Sequence, residues 1–75
     1  MSNIKDKIPV IFDLLEGQKF EIVSERVYTK KNAMKLQTGD RLQKVLHNVE
    51  LFATCRHLGT NELVYPHQLT KVKLL

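Results

Sequence analysis

The sequence predicts a small, mainly β domain with one α-helix at its N-terminus, in which all 75 residues form a single unit. Two observations support this fold class. Residues 19–28 and 62–74 contain short runs of alternating apolar and polar side chains, the pattern of a strand with one buried face. Residues 8–15 instead have the apolar spacing of a helix. A chain of this length buries only ~60% of its unfolded surface, so its core must be small.

The N-terminal helix is assigned to residues 1–17. Asp6 suits the N-cap position, and Pro9 fits the first turn, where the N–H that proline lacks would have no intrahelical partner. Gly17 can adopt the left-handed conformation that ends a helix. The apolar side chains at the spacing i, i+3, i+4 and i+7 are Ile8, Ile11, Phe12 and Leu15. We expect this helix to pack on the rest of the domain.

Residues 40–58 fit two structures, because their periodicity alone does not separate strand from helix. As strands, residues 41–46 pair with residues 49–58 across a tight turn at residues 47–48. As a helix, the segment has a regular apolar stripe and Asp40 as its N-cap, which gives an α+β fold with a second helix at about 40–58. In the strand interpretation, the core-facing residues of the second strand are Val49, Leu51, Ala53 and Cys55.

Two segments resemble parts of the SH3-like small β-barrel. Residues 36–45, in which an apolar residue precedes Gly39-Asp40 and a strand, are similar to its diverging turn. Residues 64–72 are similar to the stretch where the fourth strand passes through a single 3₁₀ turn into the fifth, and residues 58–62 correspond to the hairpin between these segments. The resemblance implies a barrel over residues 18–75 behind the helix.

The resemblance does not extend to recognition of proline-rich peptides. The chain has no Trp, and residues 24–35 are basic where peptide-binding SH3 domains carry an acidic, tyrosine-rich stretch. Basic members of the wider barrel class, such as KOW and Tudor-like modules, bind nucleic acids or nucleic-acid-bound proteins. The resemblance therefore implies a binding module of that kind.

The net charge of +4 is distributed unevenly along the chain. Residues 1–25 carry −2 and residues 26–75 carry +6, and the excess is densest between Arg26 and Lys44, where Asp40 is the one acid. Such asymmetry indicates a polyanionic partner. We predict that a basic face contacts nucleic acid, mainly its phosphates, with one tyrosine available for stacking. The predicted residues are Arg26, Tyr28, Lys30, Lys31, Lys35, Arg41 and Lys44.

The alternative function is that of a small protein-interaction modulator, of phage or plasmid type, that docks on a larger protein or machine. Aromatic side chains dominate the energetics of protein interfaces. The anchors would be Tyr28, Phe52, Tyr65 and Pro66. In either function we expect a monomer or a small homo-oligomer.

Enzyme chemistry is not expected. The chain has no glycine-rich phosphate loop, and its acids do not form an obvious acid–base pair. On a strand, Cys55 and His57 would share a face at i and i+2, whereas on a helix they would diverge; the cysteine and histidines do not follow the spacing of a metal site. We therefore expect no metal and no cofactor, and we expect Cys55 to be a small buried hydrophobe.

The expected location is the cytoplasm. A single cysteine cannot form an internal disulfide, and the first residues do not have the pattern of a secretory signal. The longest apolar stretch, near residues 8–15, is far shorter than the ~20 residues of a membrane helix. No membrane partner is therefore expected.

Overall fold

The computed structural model describes residues 8–30 and 34–75, which form a five-stranded antiparallel sheet with almost no helix. The sheet order is β4-β3-β2-β1-β5, so the chain meanders from β1 to β4 and β5 then returns to pair with β1. The strands are β1 (Lys19–Ile22), β2 (Arg41–Leu46), β3 (Thr54–His57), β4 (Leu63–Val64) and β5 (Val72–Leu74). The predicted mainly β class is confirmed. The alternative helix at 40–58 is wrong, since β2 and β3 occupy that segment.

The core lies on one face of the sheet, and cross-strand partners supply most of it. Phe20 of β1 lies opposite Leu42 of β2, and Ile22 lies opposite Val72 of β5. All four side chains are fully buried. Alternation therefore correctly predicted a strand with one buried face, but the strand predicted over residues 19–28 ends at Ile22. The remaining core residues are Ile11, Leu14, Leu36, Ala53, Cys55 and Val64.

The helix predicted for residues 1–17 is not formed over residues 8–17, and residues 1–7, with the predicted N-cap Asp6, lie outside the described residues. The one helical element in residues 8–30 and 34–75 is a single 3₁₀ turn, Ile11–Asp13. Of the predicted apolar stripe, Ile11 is buried, whereas Ile8, Phe12 and Leu15 are exposed.

Sheet pairing explains why this segment is extended before the 3₁₀ turn. Val10 has the extended angles φ −116° and ψ 166° and forms a β-bridge with Lys71. The N–H of Val72 donates to the carbonyl oxygen of Pro9 at 3.0 Å. Proline tolerates extended backbone as readily as a first helical turn. An isolated helix this short is marginal, so pairing with β5 determines the conformation.

The connection between β2 and β3 is longer than the predicted tight turn at residues 47–48. It spans residues 47–53, and the register shifts between Lys44 and Leu46. Val49 and Leu51, which were predicted to face the core, are 84% and 62% exposed. Ala53 and Cys55 are buried as predicted.

Gln68 holds this connection in place. Its backbone N–H donates to the carbonyl oxygen of Leu51 at 3.0 Å, and its side-chain amide donates to the carbonyl oxygen of Asn48 at 2.9 Å. Its own carbonyl oxygen accepts the N–H of Phe12 at 3.0 Å. Gln68 thereby links the 3₁₀ turn, the β2–β3 connection and the β4–β5 bend.

The other turns follow the predicted order. Gly39 has φ +97°, a conformation that favours glycine, and its N–H donates to the carbonyl oxygen of Ile22 at 2.9 Å just before β2. The N–H of Thr70 donates to the carbonyl oxygen of His67 at 3.0 Å, which forms the predicted one-turn bend before β5. The sheet ends at β4 and β5, and within the described residues these edges do not pair, so the predicted barrel is not closed.

Candidate nucleic-acid interface

The predicted cations lie in separate surroundings. Nε of Arg41 lies 3.4 Å from the Glu21 carboxylate, and its side chain is 64% exposed. Nζ of Lys30 lies 5.5 Å from the ring centroid of Tyr65. Arg26 and Lys35 are exposed on the connection between β1 and β2, and Lys31 lies outside the described residues.

Lys44 differs from the other predicted cations because it is in the interior. It is only 1% exposed, and its side chain shares the core-facing side of β2 with Leu42. Burial lowers the pKa of Lys44 below its ordinary value of 10.5, and the negative charge that Cys55 carries when ionised, with those of Asp13 and Glu16, opposes that shift. The expectation that Lys44 contacts phosphate is therefore not supported.

The ammonium group of Lys44 binds backbone carbonyl oxygens in the 3₁₀ turn and just after it. Nζ donates to the carbonyl oxygens of Ile11, Phe12 and Leu14 at 3.0, 3.3 and 2.8 Å. It also lies 2.9 Å from Nδ1 of His47, which can accept when its ring proton is on Nε2. A cation is well suited to carbonyl oxygens at the end of a helical turn, and that of Ile11 also accepts the N–H of Leu14 at 3.0 Å.

The outer face of the sheet carries cations that linear charge density did not reveal. Side chains alternate across a strand, and directly paired residues of antiparallel strands point to the same face. Because Phe20 and Leu42 face the core, their neighbours Lys19, Glu21 and Arg41 face outward. We call the outward cations of β1, β2, β3 and β5 the outer-face cluster: Lys19, Arg41, Arg56 and Lys73.

Strand register places the members of this cluster side by side. Glu21 lies opposite both Arg41 and Lys73, so one acid separates two cations across three strands. In the next row, Lys19 lies opposite Gln43, which in turn lies opposite Arg56. The exposed ion pair of Arg41 with Glu21 is weak in water, so it does not remove Arg41 from the face. Four cations against one acid give the outer face a positive potential.

An exposed basic rim lies beside β5. Arg26 and Lys71 line the same shallow groove, together with Ser24 and Glu25. The N–H of Lys71 donates to Oγ of Ser24 at 2.7 Å, which ties the β1–β2 connection to the start of β5. Lys71 and Lys73 are two residues apart, on either side of the buried Val72, and both are exposed. The rim therefore extends the outer-face cluster.

Two of the predicted interaction anchors meet in a small groove between the β2–β3 connection, the start of β3 and the residue that follows β4. We call it the aromatic groove; its volume is about 250 Å³, and it is lined by Lys30, Asn48, Glu50, Leu51, Phe52, Thr54 and Tyr65. Phe52 packs edge-on against the ring of His67, with centroids 5.8 Å apart. The N–H of Lys30 donates to the carbonyl oxygen of Tyr65 at 3.0 Å, which fixes this segment beside the groove.

The other two anchors are placed differently. Tyr28 is exposed, and its carbonyl oxygen accepts the N–H of His67 at 2.7 Å. Pro66 is fully buried, so its ring is not available as a contact for a partner. The sequence could not show whether Pro66 is buried or exposed, because a proline that begins a bend can be either.

Cys55 and His57 share the inward face, as their spacing predicted, but their surroundings are structural. Cys55 is fully buried, as expected, and burial raises the pKa of its thiol to about 12. Nδ1 of His57 accepts the N–H groups of Gly59 and Thr60, each at 3.1 Å, and so shapes the β3–β4 turn. Nε2 of His57 lies 3.8 Å from Asp40. The contacts of His57 support the turn between β3 and β4, and Cys55 is part of the core.

Comparisons with known proteins return no family model, no curated protein and no solved structure that matches this chain. Within residues 8–30 and 34–75, no helix is long and apolar enough to cross a membrane. Function is therefore inferred from the geometry and charge of the outer face.

Replacing Cys55 by alanine is expected to reduce the loss of stability at alkaline pH. Below pH 9.0, the ordinary thiol pKa, the Cys55 thiol keeps its proton in both the folded and the unfolded state. Cys55 therefore makes its full contribution to the free energy of unfolding in that range. Between that value and about 12, the unfolded thiol releases its proton while the folded thiol keeps it, so the free energy of unfolding falls. The lowered pKa of Lys44 acts in the opposite direction, but it is present in both proteins.

Urea unfolding near neutral pH and at about pH 10.5 measures this difference. Since one pKa unit corresponds to ~1.4 kcal/mol, we expect the natural chain to lose about 2 kcal/mol more than the Cys55→Ala variant. Equal losses in the two proteins would contradict the assignment of a buried, protonated thiol.

Proposed function

We propose that this protein is a non-enzymatic module that binds nucleic acid, mainly through its phosphates, with the outer face of its sheet. One observation carries the proposal: among the strand residues that the structure describes, four cations from four different strands share the outward face with a single acid, Glu21. The contacts would come from the outer-face cluster, with Arg26 and Lys71 at its rim. Arg41, Arg26 and Lys30 remain from the residues predicted by sequence, whereas Lys44 is omitted because it is buried.

An open, SH3-like meander is the architecture that we propose for this module. The order β4-β3-β2-β1-β5, in which the last strand returns beside the first, supports it. The turn at Gly39-Asp40 before β2 and the one-turn bend between β4 and β5 give further support. In such an arrangement the inner face of the sheet holds the core, and the exposed Lys19, Arg41 and Lys73 of the outer face can contact a partner.

Phosphate contacts position a protein on nucleic acid without reading its sequence, so we expect weak sequence preference. Each phosphate that a cation neutralises adds ~0.9 to the slope of log K against log salt for duplex DNA, and ~0.7 for a single strand. Four contacts therefore correspond to a slope of about −3 to −4. The proposed compartment is the cytoplasm, where nucleic acid is accessible.

Fluorescence anisotropy with short labelled DNA and RNA, at several salt concentrations, tests the proposal. We expect binding at low salt that weakens steeply as salt rises. The Glu21→Gln variant should bind several-fold more tightly, because it removes the one acid from the face and releases Arg41 from its ion pair. Glu62→Gln, an exposed acid in the β3–β4 connection, is the matched control and should change affinity little. Absence of binding at low salt would overturn the proposal.

The second candidate is docking on a larger protein. It is favoured by aliphatic and aromatic side chains exposed near the segments that Gln68 links: Phe12, Leu15, Leu46, Val49, Leu51 and Leu69. Where exposed apolar side chains form a contiguous patch, the patch often marks a protein interface. A purified protein partner whose binding persists at high salt and after nuclease treatment would favour this function over the first.

A further inference from the structure

We propose that the aromatic groove holds an unpaired nucleobase, so that the module binds single-stranded nucleic acid in preference to duplex. This inference rests on the proposed function, since the outer-face cluster is what brings a strand to the groove. It adds a second kind of contact, stacking, to the phosphate contacts described above.

The size and walls of the groove suit one planar ring. Its volume of about 250 Å³ lies below the ~300–1,000 Å³ of pockets that take drug-sized ligands. Tyr65 and Phe52 line it with aromatic surface, and Leu51 adds aliphatic surface. Every base presents a flat face to an aromatic side chain, so stacking tolerates any sequence.

Strand geometry connects the groove to the outer-face cluster. Thr54, which lines the groove, and Arg56, which belongs to the cluster, are two residues apart on the outward side of β3. Leu63 lies opposite Arg56, and Tyr65 follows two residues later. Two residues of a strand span ~7 Å. A nucleic-acid strand with a phosphate at Arg56 therefore brings a neighbouring base to Tyr65.

The charges around the groove set the orientation of that strand. Nζ of Lys30 lies 5.5 Å from the centroid of the Tyr65 ring, and the Lys30 side chain is exposed. When a base occupies the ring face, this long side chain can turn to the adjacent phosphate. Glu50 also lines the groove, and its carboxylate repels phosphate. The sugar–phosphate chain therefore runs on the side of Lys30 and Arg56, with the uncharged base toward Glu50.

A duplex cannot satisfy both parts of this surface. Its phosphates can meet the outer-face cluster, but its bases are paired and stacked inside the helix. Extruding one base has an energetic cost that a single strand avoids. Stacking in the groove thus discriminates between the two forms, although phosphate contact alone does not.

Tyrosine fluorescence provides a direct test. The chain has two tyrosines and no Trp, so the Tyr28→Phe variant emits from Tyr65 alone. We titrate this variant with a short oligothymidylate single strand, a duplex of equal length and inorganic polyphosphate, and follow binding separately by competition with a labelled strand. Stacking should quench the emission with the single strand and leave it unchanged with the duplex and with polyphosphate. N-acetyltyrosinamide corrects for absorption by the oligonucleotide.

A substitution completes the test. Tyr65→Leu should weaken binding of the single strand by roughly tenfold and leave polyphosphate binding unchanged, whereas Tyr65→Phe should retain single-strand affinity. Thermal unfolding verifies that both variants fold. If single strand and duplex bind equally and no quenching occurs, the base site is wrong and the phosphate-binding function stands. If none of the three probes binds at low salt, both proposals are wrong.

Discussion

Replacing Lys44 by methionine is expected to lower the free energy of unfolding by about 3 kcal/mol. The ammonium group donates to the carbonyl oxygens of Ile11, Phe12 and Leu14. Methionine retains the apolar stem but removes the donated bonds. The Ile11 carbonyl keeps the N–H of Leu14, so the loss comes mainly from the carbonyls of Phe12 and Leu14, and each buried, unsatisfied polar group costs ~1–3 kcal/mol. A domain of this size has a total stability of ~4–11 kcal/mol, so the loss is a large fraction of the whole.

Urea unfolding of matched lysine variants measures this effect. Lys35→Met is the control, because Lys35 is exposed, and its expected change is within about 0.5 kcal/mol. Under conditions where Lys44→Met remains folded, its affinity for nucleic acid should equal that of the natural chain. Similar destabilisation in the two variants would mean that the three carbonyl contacts of Lys44 contribute little.

The interior position of Lys44 was difficult to predict from the sequence. Period-two alternation places Lys44 on the same side of β2 as the buried Leu42, so the pattern indicated that Lys44 faces the core. A lysine is almost never fully buried unless it is paired, and that prior favours the surface. Its partners are backbone carbonyls of a segment about thirty positions away. Every residue has such a carbonyl, so the sequence pattern does not indicate which ones Lys44 binds.

Strands and turns were predictable where the pattern was local. Alternation indicated β1 and β5, and the turn residues around Gly39 indicated the start of β2. The N-terminal helix was not predictable from its own residues. The spacing of Ile8, Ile11 and Leu15 fits a helix, yet pairing of Val10 with Lys71 competes with it and depends on a strand more than sixty positions later. Tertiary pairing overrides local propensity in such a short segment.

The outer-face cluster was not predicted from the sequence for a related reason. Charge density along the chain selects residues 26–44, because cations are adjacent there. The outer-face cluster combines residues between 19 and 73 that antiparallel register brings to one face. Each of its members alternates with a buried residue on its own strand, and that alternation is readable. Which strands are neighbours, and in what register, follows only from the fold.

Neutralising the outer-face cluster is expected to have the largest effect on binding. The variant with Lys19, Arg41, Arg56 and Lys73 all replaced by glutamine removes four cations from four strands. We expect the slope of log K against log salt to fall by about 3, and the affinity at low salt to fall by at least about a hundredfold. The fold should persist, because the Arg41–Glu21 pair is exposed and the bond of Arg56 to the Asn61 carbonyl oxygen lies at the surface.

A second variant with the same change in net charge separates the face from the charge. It replaces Arg26, Lys30, Lys31 and Lys35 by glutamine and so removes the densest part of the linear charge. If phosphates lie along the sheet, this variant should lose less of the salt slope than the outer-face variant, since it keeps all four cations of the outer-face cluster. Salt titrations of both variants against the same oligonucleotide measure the difference. Equal losses would mean that net charge alone attracts the polyanion, and the sheet face would then have no particular role in binding.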